Sequence, residues 1–524
     1  MLPYFVIAPL LIAVFLYLFS SSRASRIVAI IAQAVFVVFT LVLFLESRHG
    51  EIYTAVGGYR GVLGITLTAD MLSASLVMLT AVLFLIAAIY GLKEPSSKLY
   101  WLLMFIWEGL IIGIFFSRDF FNVFVLLEVA TLIVAVLIMY VRENRSMFDG
   151  VIFLMVNTAV IQFYLLGLGY IYMLTGTLDM AVATAAIAQM ESSQLILPYT
   201  LIMAPIVFKC ALVPLASWLP KVQGIPRAPA AVAAILSGLH VKCALFLFIR
   251  FQEVFAPVAT EGFYIVLGIV TAVTSIIMAF SQKDIRLILA YSSTAQVGLI
   301  MIGLNLDEYA ATGSLLHIIN HAVFKAALFL GAGIIVRMYR TPDITKISGL
   351  IKRSPILSIT TMMAILGIAG APFFNGSISK YFMMAESGGL VFWILNIINL
   401  GTIILFVRYT KILFGPDTSN KSVQIDVNKQ ISVAMLAVMC LAMGIGGVWL
   451  ANFLFGVDVE LNFWGYFEKA VIFAASVAIA LFVNKYVKND NFFLARVRSL
   501  DLNFRGMCVC IGVLFAVMLV FMQI

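Results

Sequence analysis

Long apolar runs, separated by short polar loops, recur along the whole chain. Each run has roughly the 20 residues that an α-helix needs to cross the hydrocarbon core of a bilayer. None shows the ten-residue alternation that is typical of a membrane β-barrel strand. The pattern therefore predicts an all-α polytopic membrane protein with about 14–16 transmembrane helices. The candidate spans are residues 3–20, 26–46, 71–92, 99–117, 118–140, 148–174, 195–215, 229–251, 257–281, 283–305, 309–337, 355–386, 388–414, 431–456, 467–487 and 505–523.

The composition is typical of a chain embedded in lipid. Hydrophobic residues make up 63% of the 524 residues and charged residues 11%, whereas soluble domains have about 45–50% and about 25%. So few charges cannot solvate a soluble domain, and so many apolar residues exclude a disordered chain. No signature of a nucleotide, flavin, iron–sulfur or zinc site is present in the sequence. We therefore expect no cofactor or metal on this chain, and no nucleic acid partner.

Basic residues are concentrated in alternate loops. With the N-terminus outside, the loops facing the cytoplasm carry 24 Lys and Arg residues and those facing outward carry 5. Cytoplasmic loops of membrane proteins carry such an excess of Lys and Arg. The bias therefore predicts a multi-pass protein of the cytoplasmic membrane with its N-terminus outside. The basic residues assigned to the outward loops are Arg48, Arg60, Arg118, Arg250 and Lys469.

Four lysines lie inside apolar runs: Lys209, Lys242, Lys325 and Lys380. A lysine near the bilayer centre costs ~2.5–3.5 kcal/mol even on the insertion scale. Four would cost ~10–14 kcal/mol on that scale, which is comparable to the whole stability of a domain, about 5–15 kcal/mol. The alternative is that the side chains snorkel to a membrane surface. That alternative fits Lys380, near the end of its run, better than Lys242, near the middle, so we predict an ion-carrying role for these lysines.

Acidic residues accompany the lysines. Glu128 lies in the middle of its run and needs a partner if it is ionised. An ion pair with Lys209 would hold both groups charged, and separating the pair would let the lysine release its proton. The alternative is a static salt bridge that ties two helices together. Glu108 either belongs to the same network or bonds a neighbouring helix.

His317, His321 and Lys325 recur every four positions and therefore share one helix face. The row spans about 12 Å at 1.5 Å per residue. Histidine titrates near neutral pH and passes protons in either direction. The row predicts a proton relay, although a single buried histidine is often a packing residue. For His240, two residues before Lys242, both interpretations stay open.

Two runs contain helix-breaking residues close to a lysine. Pro205 and Pro214 flank Lys209, and a Gly- and Pro-rich stretch from Gly367 to Gly376 precedes Lys380. Paired broken helices in two halves of a chain are typical of inverted repeats around an ion path. We therefore predict repeats formed by helices 4–8 and 9–13. The predicted regions are 1–98 with three N-terminal helices, 99–251 and 257–414 with the two repeats, and 415–524 with C-terminal helices that dock a neighbouring subunit.

These motifs together resemble the antiporter-like membrane subunits shared by respiratory complex I, Mrp-type sodium/proton antiporters (their D-type subunit) and energy-converting membrane-bound hydrogenases. The resemblance covers about residues 50–415. The residues after Trp218-Leu-Pro220 depart from the family, which often has an acidic residue and a histidine there. The two helices beyond residue 460 lie outside the common fourteen-helix core. The matching stretches are Asp119–Glu128, Lys209–Pro220, Ala228–Lys242, Lys283–Ser293, His317–Leu330 and Pro372–Lys380.

The resemblance implies a role for each of the buried charges. Glu128 and Lys209 would form the ion pair, and Lys242 would be the central proton carrier. Lys325, with His321, would continue the polar axis. A proton would leave through Lys380, which would gate the exit.

The resemblance also implies partners. These would be other antiporter-like and small membrane subunits, the lipid bilayer, H⁺ and Na⁺, and, in a redox complex, iron–sulfur or hydrogenase subunits. Two functions stay open: a subunit of an Mrp-type antiporter, and the proton-pumping subunit of a complex I-like oxidoreductase, whose redox centres would lie on other chains. A transporter of an organic solute would need a midplane pocket with few lysines, and a membrane enzyme would need clustered acids at one membrane face.

Overall fold

The computed structural model describes residues 1–19, 23–59, 64–94, 97–225, 228–385, 387–420, 423–486, 492–500 and 504–523. Four of the basic residues counted in the loops lie outside the described residues: Arg60, Arg227, Lys421 and Lys488. Helices form most of the described chain, together with one antiparallel hairpin of β1 (Ile52–Ala55) and β2 (Thr66–Ala69). The fold is therefore all-α, as predicted.

In chain order, the α-helices are α1 (Leu2–Phe19), α2 (Arg23–Ser47), α3 (Met71–Gly91), α4 (Lys98–Phe116), α5 (Phe120–Met139), α6 (Asn144–Thr175), α7 (Met180–Ile187), α8 (Ser192–Lys209), α9 (Trp218–Gln223), α10 (Ala230–Ile235), α11 (Val241–Val254), α12 (Glu261–Ser281), α13 (Ile285–Leu304), α14 (Glu308–Tyr339), α15 (Leu350–Arg353), α16 (Pro355–Ala369), α17 (Asn375–Ala385), α18 (Gly389–Tyr409), α19 (Val427–Ile445), α20 (Gly447–Phe455), α21 (Phe463–Tyr486), α22 (Phe492–Arg498) and α23 (Phe504–Phe521). A π-turn at Leu236–His240 joins α10 to α11 into one span.

Fourteen helical spans within the described residues are long and apolar enough to cross a membrane. Two further predicted runs are the broken ones: α8 continues after a turn as α9, and α16 as α17. The prediction of a single helix over 431–456 is wrong, because α19 ends at Ile445 and α20 begins at Gly447. Near this bend Gly444 lies so close to the α16–α17 turn that a Cβ would stand 2.2 Å from Phe373 O. Close approach of two backbones therefore accounts for a glycine here.

The most enclosed spans are α14 and the α10–α11 span. In each, 94% of the residues in its 18-residue apolar stretch are buried inside the chain. The corresponding share is 28% for α1, 22% for α23 and 11% for α21. The polar residues carried by α11 and α14 therefore lie at the centre of the helix bundle, and α1, α21 and α23 lie at its edge. Both α21 and α23 have the length and composition of spanning helices. Between α21 and α23 the structure describes residues 492–500, which include α22.

The same backbone bridge occurs once in each predicted repeat. Asp119, at the start of α5, pairs with Asp179, which follows α6. Asp284, at the start of α13, pairs in the same antiparallel way with Asp343, which follows α14. In the predicted topology the two bridges lie on opposite sides of the membrane, as inverted repeats require. The repeat boundaries and their inversion stay predictions.

Candidate ion path

The first broken helix places Lys209 at its end. The helix α8 stops at Lys209, and Ala211 takes a left-handed conformation with φ 57° before the chain re-enters a helix at Trp218. The lysine side chain is buried, and its Nζ donates hydrogen bonds to Thr131 Oγ1 at 3.1 Å and Asn157 Oδ1 at 3.3 Å. Lys209 therefore ties the end of α8 to α5 and α6 through neutral oxygen atoms.

Glu128 lies on α5, three residues before Thr131. Within the described residues no ion pair of 4.0 Å or less joins Glu128 to Lys209, and Glu128 Oε1 has no hydrogen-bond partner. The Glu128 side chain is half-buried, and its neighbours Val125 and Val129 are exposed on the outside of the bundle. The predicted pair is thus open in this structure, and Thr131 and Asn157 hold the lysine instead.

Lys242 begins the central part of the path. The π-turn that precedes α11 leaves Ser237 O free to accept a hydrogen bond from Lys242 Nζ at 2.8 Å. The same Nζ contacts Nδ1 of His321 on α14. Local π-turns inside helices occur often at functional sites, since they release backbone groups from the helical ladder. The turn therefore lets Lys242 stay buried with partners on two elements.

The predicted row on α14 is buried, and its members contact α11, α13 and α17. The rings of His317 and His321 lie 6.4 Å apart, and Lys325 Nζ donates to Leu289 O at 2.9 Å and contacts Ser292 Oγ on α13. His321 contacts Lys242, as described above. The row thus stands between α11 and α13.

His317 joins the row to the second broken helix. Its Nδ1 lies 2.8 Å from Ser379 Oγ of α17, and its Nε2 lies 3.0 Å from Gln296 Oε1 of α13. Gln296 also donates to Thr402 Oγ1 of α18 at 3.2 Å. His317 therefore lies within one hydrogen bond of the helix that carries Lys380.

Lys380 occupies the gap in the second broken helix. The helix α16 ends at Ala369 and is capped by Gly370, which has a φ of 78°. The Lys380 ammonium donates to Ile368 O at 2.7 Å and to Asn399 Oδ1 of α18 at 2.8 Å. A Cβ at Gly370 would stand 3.1 Å from Lys380 Cδ. The break therefore supplies a carbonyl for the lysine, and the glycine supplies the space.

The two remaining sequence candidates do not join this path. The His240 ring packs against that of Trp107 with centroids 5.8 Å apart, and its Nδ1 has no hydrogen bond within the described residues, which favours a packing role. Glu108 accepts a hydrogen bond from Gln33 Nε2 at 2.5 Å, and Gln33 also donates to Ala81 O. Glu108 therefore ties α4 to α2 and α3.

The structure adds residues that the sequence pattern did not single out. Thr131, Asn157, Gln296 and Asn399 are neutral polar residues within apolar runs, and that isolation was the signal available in the sequence. Lys469, assigned above to a loop, lies inside α21, and its Nζ donates to Ser377 O of α17 at 2.9 Å. Among the described residues, no group of three or more His, Cys, Asp or Glu side chains could hold a metal ion.

The residues of this path lie within the region that a known family model matches. The model is described as "NADH:quinone oxidoreductase/Mrp antiporter, TM" and matches residues 117–408, which contain every residue of the path from Glu128 to Lys380. The D subunit of the Na⁺/H⁺ antiporter of Alkalihalophilus pseudofirmus is 28% identical over 389 residues, 72% of this chain and 78% of that protein. The N subunit of the NADH-quinone oxidoreductase of Desulforudis audaxviator is 32% identical over 373 residues, 67% of this chain and 73% of that protein.

Solved structures share the fold. A chain of the Mrp complex from Dietzia sp. superposes with a TM-score of 0.80 at 22% identity, covering 90% of this chain and 99% of that one. A chain of respiratory complex I from Thermus thermophilus gives 0.76 at 21% identity, covering 91% and 100%. At these identities the likeness concerns the fold alone.

Proposed function

Because this chain belongs to the NADH:quinone oxidoreductase/Mrp antiporter transmembrane family, we propose that it moves protons across the membrane along its buried lysines and histidines. One observation carries the proposal. Lys242 contacts His321 at the centre of the bundle, and the row on α14 continues from there to α17, which bears Lys380. Titratable side chains at this depth are expensive unless they line an ion path.

The proposed cycle is electrostatic and starts at Lys209. When Lys209 approaches Glu128, the carboxylate favours the charged form of the lysine, which then holds its proton. When Lys209 turns to Thr131 and Asn157, as here, that attraction weakens and the proton passes toward Lys242. Closing the pair again reloads the path.

The proton moves on through His321 and His317. A neutral imidazole accepts a proton on one nitrogen and releases one from the other. Lys325 is a charged neighbour of this relay, held by α13. Lys380 of α17, whose ammonium lies in the break between α16 and α17, is the exit gate of the proposed path.

The chain works with other membrane subunits, as its relatives are subunits of multisubunit complexes. We propose that the complex is an Mrp-type exchanger of Na⁺ for H⁺ in the cytoplasmic membrane, with the N-terminus of this chain outside. The relation to the D subunit of a Na⁺/H⁺ antiporter over 72% of the chain supports this choice. The 32% identity to an NADH-quinone oxidoreductase protein favours a second candidate, the proton-pumping subunit of a redox complex.

The test has two parts. Purification of the complex from native membranes in mild detergent, with mass spectrometry, identifies the partners: small antiporter subunits support the exchanger, and iron–sulfur or hydrogenase subunits support the redox pump. Proton movement is then followed by a pH-sensitive dye in everted vesicles after addition of Na⁺ or of the electron donor. Lys242→Ala is expected to abolish the signal in an assembled complex, with Lys485→Ala, at an exposed position of α21, as the control. Full transport by Lys242→Ala would refute the proposed path.

A further inference from the structure

A fifth lysine, Lys469, reaches the path from a helix at the edge of the bundle. Along α21 only Ser476, Ala480 and Asn484 are fully buried, so most of this helix faces away from the chain. The Lys469 side chain nevertheless turns inward, and its Nζ donates to Ser377 O at 2.9 Å. Ser377 lies in the first turn of α17, three residues before Lys380. A snorkelling side chain would instead reach for the membrane surface.

The neighbours of Lys469 fix α21 against the second broken helix. The Lys469 Nζ stands 5.8 Å from the centre of the Tyr381 ring. The Tyr466 hydroxyl lies 3.1 Å from Ser377 Oγ and accepts a hydrogen bond from Phe373 N at 3.2 Å. These contacts hold the Lys469 ammonium beside the first turn of α17, the helix that carries the proposed exit gate Lys380.

A cavity of about 180 Å³, lined by both polar and apolar side chains, opens beside Lys469. Tyr381 and Met384 of α17 and Asn396 of α18 line it, and the exposed side chains of Asn462 and Glu468 lie at its rim. A cavity of this size, with polar atoms of Asn396, Glu468 and Lys469 on its lining, has room and partners for water molecules. In the predicted topology, the end of α17 and the start of α21 face the outside. The cavity, which we call the vestibule, therefore lies between Lys469 and the outer surface.

The titratable groups around Lys469 lie on α14, α17 and α21. From α17 they are Lys380 and Tyr381, and from α21 itself they are Glu468 and Tyr466, while α18 supplies the amide of Asn396. His317 of α14 also lies within electrostatic range. Lys469 is held to the first turn of α17, which also carries Lys380, and neighbouring like charges disfavour being charged together.

We propose that Lys469 is the last proton-binding group of the path and delivers protons from Lys380 to the water of the vestibule. This inference rests on the proposed function. In the step, an N–H bond of the Lys380 ammonium breaks and an N–H bond forms on the neutral amine of Lys469, with water carrying the proton between them. Lys469 then gives its proton to vestibule water, where the Glu468 carboxylate attracts the departing charge. No electrons change hands; Lys469 returns to its neutral amine, and Lys380 stays neutral until the path delivers the next proton to it.

The test compares Lys469→Arg, Lys469→Gln and the control Lys485→Gln in the whole complex reconstituted in liposomes. Arginine keeps the charge and can keep the bond to Ser377 O, but it stays protonated at every working pH. A relay therefore predicts that Lys469→Arg and Lys469→Gln both lose transport at least about tenfold, and that the dependence of flux on outer pH flattens. A merely structural lysine predicts that Lys469→Arg transports like the wild type, and this result would overturn the inference.

A parallel Lys242→Ala variant separates the two proposals. Transport by Lys242→Ala would reject the proposed function as a whole. Loss of transport in Lys242→Ala together with wild-type transport in Lys469→Arg would reject only the role of Lys469.

A second measurement uses cysteine variants, so it does not require that the lysine variants assemble into the complex. In a Cys508→Ser background, Asn396→Cys lines the vestibule, whereas Trp393→Cys lies on the exposed outer face of the same helix. A charged, membrane-impermeant thiol reagent added outside is expected to label the Asn396→Cys protein and to slow its transport, but to leave the Trp393→Cys protein unlabelled. Absence of labelling at position 396 would show that no water joins the vestibule to the outside, and would also overturn the inference.

Discussion

The Lys242 Nζ contacts Nδ1 of His321 across the interface of α11 and α14. When Lys242 is charged its ammonium can only donate, so Nδ1 is then the acceptor and the ring proton of a neutral His321 is on Nε2. Within the described residues, His321 Nε2 has no hydrogen-bond partner. A buried donor without a partner is costly, and it is also free to meet water or a moving proton. The pair is therefore arranged so that a proton arriving at Nδ1 can leave from Nε2.

Replacing His321 by alanine removes both nitrogens of this relay. We expect transport in the assembled complex to fall at least about a hundredfold, the lower end of what a positioned acid–base group contributes. The measurement is the initial rate of proton movement in vesicles, normalised to the amount of assembled complex. His240→Phe is the matched control, because His240 packs against Trp107 and the bundle should accept a phenyl ring in its place. Equal loss in both variants would indicate general damage to the bundle rather than a relay.

Thr131 is one of the two neutral acceptors that hold Lys209 away from Glu128. A hydrogen bond to a charged group contributes about 1.5–3 kcal/mol, so Thr131→Val should shift Lys209 toward Glu128 by about tenfold or more. A longer-lived ion pair should slow turnover without lowering the amount of complex. Thr184→Val is the control, because the Thr184 hydroxyl bonds to Met180 O of its own helix. Unchanged turnover in Thr131→Val would contradict the idea that opening this pair drives the cycle.

Gly370 and Gly176 test the exit gate. Both have a left-handed backbone, with φ of 78° and 69°, so alanine should cost about 1–2 kcal/mol at either position. Only at Gly370 would the new Cβ lie against Lys380, whereas the structure places nothing within 4 Å of a Cβ at Gly176. We expect both alanine variants to unfold at lower temperature, and only Gly370→Ala to lose transport. Comparable transport by the two would show that the position of the Lys380 side chain does not limit the flux.

Asp70, outside the spanning segments, predicts how stability depends on pH. Burial alone would raise the pKa of Asp70, but Arg250 and Arg118 together with bonds from Ser73 lower it below the ordinary value of 3.8. Because the pKa is lower in the folded state, the stabilising effect is complete above about 3.9, the unfolded value, and is lost as the pH falls through the folded value.

Asp70→Asn should therefore destabilise the protein near neutral pH by about 1.5–3 kcal/mol, since it removes one of the two carboxylates that pair with the buried Arg250 and leaves the more exposed Glu253 as its partner. The difference from the wild type should shrink in acid. Thermal unfolding of both proteins between about pH 3 and about pH 7 measures this difference in stability. Asp149→Asn, which removes an i,i+4 pair with the exposed Arg145, should change stability by about 0–1 kcal/mol. A pH-independent difference at Asp70 would reject the electrostatic explanation.

Much of the fold was readable in the sequence, because a spanning helix must satisfy its own backbone and present about 20 apolar residues. That rule located the spans, and helix periodicity placed His317, His321 and Lys325 on one face. It failed at 431–456, where α19 ends at Ile445, because the bend there depends on how closely another helix approaches Gly444. The sequence around Gly444 does not show which other helix will approach it or how closely.

The sequence by itself determined that Lys209, Lys242, Lys325 and Lys380 are buried, since a lysine in an apolar run is expensive wherever the helix lies. Only the tertiary structure decided what each charge meets. Lys209 meets Thr131 and Asn157 rather than Glu128, and Lys469 turns inward to Ser377 O although its helix lies at the edge of the bundle. The physical reason is that hydrogen bonds between helices depend on the rotation and depth of each helix against its neighbours. Those quantities are set by packing across the whole bundle and not by the periodicity of any one segment.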